Sequence, residues 1–282
     1  MLSQGIINGL SAGFIYILVA LGVTLVFGIM RIIQLAHGEM YMLGAHAVYF
    51  SCVVLGINVP ASFFIAAGST ALVGMIIERF LLRRFRGAIE PSVIVAIGLI
   101  LLFQTIAVVA FGSNEKTIPR LIPGILSAWG IRISWDRVLA VIVGGVLVFA
   151  LHLFIRSTKI GQAMVAISQD REAAALQGIN VNRISSITMA IGSALAAVAG
   201  GLMGSIFSVE PFMGSFAISK GLAVIILGGL GSIPGAVVGG LILGLIDGVV
   251  PLYYSTTVAY IIGFASIIII LIIRPKGLMG QE

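Results

Sequence analysis

Residues 221–246 read Gly-Leu-Ala-Val-Ile-Ile-Leu-Gly-Gly-Leu-Gly-Ser-Ile-Pro-Gly-Ala-Val-Val-Gly-Gly-Leu-Ile-Leu-Gly-Leu-Ile, without one charged side chain. A helix crosses the hydrocarbon core of a bilayer with about 20 apolar residues, so the stretch is long enough to span. Its middle is a poor helix. Gly228, Gly229, Gly231 and Gly235 surround Ser232 and Pro234. Glycine weakens a helix and proline removes a backbone donor. The stretch therefore predicts two half-helices meeting at a break inside the membrane. Such a break persists at depth only where protein or a water-filled cavity covers the freed backbone groups.

Outward from this stretch, the same pattern repeats. Windows free of Asp, Glu, Lys and Arg cover residues 5–30, 91–114, 138–155, 184–209 and 248–273. The window 40–77 is long enough for two spans, divided near residues 56–60. The fold class expected is all-α: a polytopic integral membrane protein with about eight spans, some discontinuous or re-entrant. Composition agrees. Of 282 residues, 60% are hydrophobic and 9% charged, against roughly 25% charged in a soluble domain. The net charge of +6 reads as cytoplasmic Lys and Arg rather than nucleic-acid binding. Cys52 is the one cysteine, so no internal disulfide forms. His37, His46 and His152 have no metal-ligand spacing; His46 and His152 read as polar packing residues. The first apolar run lacks a cleavage site and is expected to stay as a span.

Loop charges set the orientation. Residues 78–90 carry Arg79, Arg83, Arg84 and Arg86, and residues 156–183 carry Arg156, Lys159, Arg171 and Arg183. Both loops are expected in the cytoplasm, as is the tail with Arg274 and Lys276. The loop 112–137 falls outside, with Pro119, Pro123 and Gly124 for irregular structure and Trp129 and Trp135 suited to an interface. Asp247 is expected near the outer interface, with Tyr253 and Tyr254 in an aromatic belt. This orientation requires the break described above. The window 184–209 runs outward and the last span runs inward, so one unbroken helix over 221–246 cannot join them.

A second irregular stretch lies at residues 31–39, Arg-Ile-Ile-Gln-Leu-Ala-His-Gly-Glu. It is too apolar for an ordinary loop and too polar for lipid. Gln34, His37 and Glu39 read either as the polar lining of a solute path, or a hinge beside it, or as residues at the cytoplasmic interface. An ionisable group at membrane depth costs roughly 2.5–3.5 kcal/mol on insertion scales and so faces a partner or a wet cavity. Both irregular stretches place glycine ahead of an apolar run, Gly38 and Gly44 in one, Gly231, Gly235 and Gly239 in the other, a faint internal repeat. Gly38, Gly229, Gly231, Ser232, Pro234 and Gly235 join the candidates for the path or hinge. The pairs Gly9/Gly13, Gly200/Gly204, Gly235/Gly239 and Gly240/Gly244 have the spacing of close helix packing. No Gly-Lys-Ser/Thr loop is present, so the stretch is no nucleotide site.

The loop 156–183 contains Arg171-Glu172-Ala173-Ala174-Ala175-Leu176-Gln177-Gly178. Asp170 or Ser168 can cap a helix there and Gly178 can end it. Small side chains let such a short helix sit in a groove on another protein; an ordinary surface helix has the same pattern.

With these residues in hand, the chain resembles the branched-chain amino acid permease family of ABC importers over nearly its full length. The resemblance rests on residues 35–45, Leu-Ala-His-Gly-Glu-Met-Tyr-Met-Leu-Gly-Ala, on the loop from Arg171 to Gly178 followed by Ile179 and Asn180, and on residues 227–236, Leu-Gly-Gly-Leu-Gly-Ser-Ile-Pro-Gly-Ala. It implies one transmembrane permease domain over 1–282 with a cytoplasmic coupling loop at about 156–183, in the bacterial cytoplasmic (inner) membrane. It implies a docking helix built on Arg171, Glu172, Ala173, Ala174 and Gly178. The wider importer motif often ends in Leu-Pro; here Asn182-Arg183-Ile184-Ser185 runs straight into a span. The partners implied are a second homologous permease, two ATP-binding-cassette ATPases and a periplasmic solute-binding protein. The chain itself would be no enzyme and bind no cofactor or metal; ATP and Mg would be used by the ATPases. The cargo implied is branched-chain amino acids, with urea, short amides or aromatic acids as the alternatives carried by close relatives. A stand-alone ion-coupled transporter or channel is the competing class, for which the spans offer only Glu39 and Asp247. A membrane-embedded enzyme ranks last, since no nucleophile–base pair appears.

Overall fold

The computed structural model describes residues 2–122, 124–128 and 131–280. Pro123 and Trp129 lie outside the described residues. Among the described residues the fold is all-α apart from one small hairpin, β1 (Ile125–Ala128) with β2 (Ile131–Ser134), in the loop expected outside. The helices are α1 (Leu2–Met30), α2 (His37–Tyr49), α3 (Val59–Phe80), α4 (Ile89–Phe111), α5 (Trp135–Ser157), α6 (Lys159–Gln169), α7 (Arg171–Leu176), α8 (Val181–Ile206), α9 (Met213–Gly228), α10 (Ile233–Val249) and α11 (Thr256–Ile273). Among the described residues, seven helices are long and apolar enough to cross a membrane: α1, α3, α4, α5, α8, α10 and α11. A shorter apolar helix, α9, and the 13-residue α2 sit among them.

α1 is the central post. Its run from Ile15 to Val26 is buried almost throughout, and α10, α8, α5 and α9 pack around it. Glycines permit the closest of these contacts. α1 and α10 run antiparallel, and a Cβ built on Gly9 would lie 2.8 Å from the Gly244 carbonyl oxygen, one on Gly13 3.0 Å from that of Gly240. Small residues let backbones approach where lipid offers no hydrophobic drive for association. Peripheral helices instead turn large apolar side chains outward, such as Phe64, Val109, Phe149 and Ile272.

Local chemistry sets the helix ends. Asn58 caps α3 with Pro60 in its first turn, Asn180 caps α8, and Ser255 caps α11. Ser232 accepts the Gly235 N–H at 3.1 Å, with Pro234 in the first turn of α10. His152 is exposed on α5, so it does not pack as expected. His46 does: its Nδ1 lies 3.0 Å from the Met42 carbonyl and its ring stacks on Phe111.

The window 221–246 divides as expected, at residues 229–232, but its first helix is longer than its apolar run. α9 begins at Met213 and carries Lys220 inside it. A search for charge-free windows stops at Lys220 and so cuts the helix short.

Candidate functional site

The irregular stretch 31–39 runs from an exposed Arg31 into the protein, where Gln34 and residues 36–39 are buried. Past Gly22, α1 continues for about two turns to Met30. Arg31 then turns back with φ +52; residues 31–34 form neither helix nor strand, and a turn at Leu35 and Ala36 leads into α2 at His37. Its ring sits where α1 crosses α8: a Cβ on Gly22 would lie 2.9 Å from His37 Cε1 and one on Gly192 3.4 Å from it. Gln34, His37 and Glu39 are 1%, 0% and 1% exposed. These three side chains are therefore interior to the protein.

Most polar atoms of this cluster have no partner. Among the described residues, nothing hydrogen-bonds either side-chain amide atom of Gln34, either ring nitrogen of His37, or the hydroxyls of Thr24 and Ser193 nearby. Glu39 accepts from Gln104 Nε2 at 2.9 Å through Oε1, and its Oε2 is unpartnered. Gln104 also reaches Ser215 Oγ at 3.2 Å, tying α2 and α4 to the start of α9. A buried polar group left unpaired costs about 1–3 kcal/mol. Such groups are kept where water, a solute or a second conformation supplies their partners. Gly38 joins the cluster through its backbone, which touches Gly214 of α9.

The second stretch sits elsewhere. Gly229 (φ +107) and Gly231 (φ +81) turn the chain between α9 and α10, and the Ser232 N–H donates to the Gly229 carbonyl. Protein covers the freed groups: Leu278 N–H donates to the Leu227 carbonyl at 3.0 Å and Met279 N–H to the Gly228 carbonyl at 2.9 Å. Gly228 and Gly235 pack backbone to backbone beside Pro234. The tail thus closes the turn, and no described contact joins Gly229, Gly231, Ser232, Pro234 or Gly235 to His37.

What lies between the two stretches is the loop 156–183. α7 is capped by Asp170, whose Oδ1 accepts from Glu172 N–H at 2.9 Å and Ala173 N–H at 3.0 Å. Gly178 ends it with φ +82. Ala174 is buried; Arg171, Glu172, Ala173 and Gly178 are exposed. A cavity of about 400 Å³ brings Arg171 and Glu172 together with Met30 and Arg31, where the re-entrant stretch starts. A smaller one, about 60 Å³, joins Met164 and Ser168 of α6 to Gly231 and Ile233 and to Thr24 and Gly28 of α1. One loop therefore borders both irregular stretches.

Three features escape a reading of the sequence. Leu176, the bulky side chain of α7, is 88% exposed. Glu78 is fully buried at the end of α3, bound by Arg86, by Ser186 of α8 and by Arg83 at 3.4 Å; Arg86 also donates to Asn182 at 2.6 Å. Burial, and secondarily the nearby Arg171 guanidinium, hold Arg86 down at about 10. Lys220 Nζ donates to Asp247 Oδ2 at 2.6 Å, and Tyr16 OH donates to the same oxygen at 2.8 Å. Lys220 and Asp247 lie 27 residues apart and Glu78 and Ser186 lie 108 apart, so neither contact leaves a local signal.

Compared with known proteins, the chain matches, over residues 5–272, the family described as branched-chain amino acid transport system / permease component. It is 36% identical to the high-affinity branched-chain amino acid transport system permease protein BraD of Pseudomonas aeruginosa, over 99% of this chain and 95% of that one. It is 34% identical to the corresponding protein LivH of Escherichia coli K12 with the same coverage. A fructose import permease protein, FrcC of Rhizobium meliloti, is 35% identical over 37% of this chain and 31% of its own length. No solved structure matches.

Proposed function

The chain belongs to the branched-chain amino acid transport permease family, and from that premise we propose that it forms half of the translocation path of an ATP-driven importer for branched-chain amino acids. Its partners in this reading are a second, homologous permease, two ATP-binding-cassette ATPases and a periplasmic binding protein, assembled on the bacterial inner membrane. The ATPases, not this chain, use ATP and Mg.

The observation that supports the reading is the shared cavity of Arg171, Glu172, Met30 and Arg31. A push on α7 arrives at the residue where α1 ends and the re-entrant stretch begins. That stretch carries Gln34 and His37 into the centre, so a small displacement outside changes which polar groups face one another inside. α6 carries the same push to the turn at Gly231. The Glu78 cluster clamps the α3–α4 loop to the start of α8, so the loop and α8 move as one body. Two arrangements with different affinity for the solute are required, since a ligand held equally by both shifts nothing. Leu176 supplies an apolar contact for the ATPase surface, and burying a leucine side chain gains about 1.5–3 kcal/mol.

The test is retention of the ATPases. Leu176→Asp, and separately Glu172→Arg with Gly178→Leu, are expected to lose the ATPases on affinity purification of the complex and to lose leucine uptake in membrane vesicles. Unchanged co-purification and uptake in all of them would remove the docking assignment. Uptake by this chain in vesicles lacking ATPases would instead favour a stand-alone transporter. Against that class stands the Lys220–Asp247 pair, in which a lysine already balances the charge of one of the acidic groups a coupling ion would use.

A further inference from the structure

A second cavity, of about 410 Å³, opens near the starts of α1, α5 and α11 and the end of α10, apart from the central cluster. Its size is that of a small-molecule site. The walls are mainly apolar, with Ile15, Met203, Phe207 and Phe216. Two side chains of opposite charge line it, Asp247 and Arg137.

Each of these charges is fixed and incompletely used. Asp247 Oδ2 carries both hydrogen bonds, from Lys220 and Tyr16, while the buried Oδ1 accepts none. Lys220 is itself held, its Nζ 4.4 Å from the Tyr260 ring centre and 5.5 Å from that of Tyr16, a favourable place for an ammonium. Arg137 lies over the Phe207 ring at 5.8 Å, and among the described residues it has no carboxylate partner. A carboxylate with one oxygen unpartnered and a guanidinium without a carboxylate partner border one greasy chamber, the complement of a zwitterion with an aliphatic side chain.

We propose that this cavity holds the solute as a zwitterion, Asp247 accepting its α-ammonium group and Arg137 clamping its α-carboxylate, with the apolar walls around the side chain. A guanidinium binds a carboxylate through two parallel hydrogen bonds, which fixes orientation as well as charge. The proposal rests on the branched-chain amino acid reading given above. It places recognition in a site separate from the central cluster and from the docking loop.

The experiment is ligand protection of a single cysteine in the assembled complex. Cys52→Ala removes the native thiol, and Phe207→Cys places one on the cavity wall. Labelling by a charged thiol reagent is timed with leucine, with 4-methylpentanoate, which lacks the ammonium, or with 3-methylbutylamine, which lacks the carboxylate. At a leucine concentration about ten times its dissociation constant, labelling is expected to slow about tenfold; the acid and the amine should protect far less. Arg137→Gln and Asp247→Asn should each abolish the protection. Asp247→Asn leaves Lys220 unpaired and risks unfolding, so Arg137→Gln carries the same test. If Phe207→Cys does not assemble, Thr256→Cys reports on the same cavity. Ser157→Cys, exposed at the opposite end of α5 from Arg137, should label at the same rate with or without leucine. Absence of protection, or equal protection by the acid or the amine, overturns the site. A complex that keeps its ATPases and takes up leucine without protection loses this site alone. Failure of the docking variants to disturb assembly would instead remove the docking assignment, and an assembled complex that takes up no leucine would remove the branched-chain amino acid reading.

Discussion

Gly38 and Gly214 meet backbone to backbone: a Cβ on Gly214 would lie 2.6 Å from the Gly38 carbonyl oxygen and 2.8 Å from its carbon, and one on Gly38 would lie 2.9 Å from the Gly214 carbon. They sit at the starts of α2 and α9, the two short helices of the bundle. This contact sets how near Glu39 comes to Ser215 and Gln104, and so holds the outer side of the central cluster.

Gly214→Ala is therefore expected to destabilise the assembled protein by about 1–3 kcal/mol, the usual cost of overpacking. Gly68→Ala makes the right comparison. Gly68 is helical in α3, and a Cβ there meets nothing within 4 Å, so the change should stabilise by about 0.5–1 kcal/mol. Melting temperatures of the two variants in the same detergent should move in opposite directions. A Gly214→Ala protein as stable as the parent would show that α2 and α9 are not in contact.

The unpaired polar atoms of Gln34 and His37 give a prediction of opposite sign for stability and for transport. Gln34→Met and His37→Phe remove orphaned groups, so melting temperature should hold or rise. Leucine uptake should fall by about tenfold or more, the order of 1.4 kcal/mol. Variants that gain stability and still transport at the parent rate would mark the cluster as packing alone.

Glu78 is buried between two arginines, so removing its charge should be costly. Glu78→Gln is expected to lose about 3–5 kcal/mol, because Arg86 is left buried without its carboxylate. Glu78→Gln combined with Arg86→Met should recover much of that loss, and the recovery separates a charge effect from a packing defect. Limited trypsin digestion gives a second readout, since the loop at Arg83 and Arg84 should be cut faster in the single variant only.

The turn at Gly231 depends on the tail. Leu278→Pro deletes the N–H that satisfies the Leu227 carbonyl. A cysteine at Ser232, in a chain without Cys52, should then react faster with a water-soluble thiol reagent. An unchanged rate would mean that the tail does not hold the turn closed.

Much of this architecture is legible in one dimension. Hydropathy marks the spans because a helix satisfies its own backbone and lipid admits little else. Glycine and proline mark the turn between α9 and α10, and Asp170 with Gly178 marks both ends of α7, because turns and caps are made by neighbours in the chain. The tertiary structure alone decided depth and partnership. Nothing within residues 31–39 says that the chain turns back at Arg31 to set His37 at the crossing of Gly22 and Gly192; that follows from the packing of α1 on α8. Nor does the sequence around Lys220 say that a lysine can lie within a buried face of a short apolar helix. It can because Asp247, on the next helix, and the ring of Tyr260 on the one after it compensate the charge. The cost of a buried charge is set by what faces it, and what faces it is fixed only once the helices have packed.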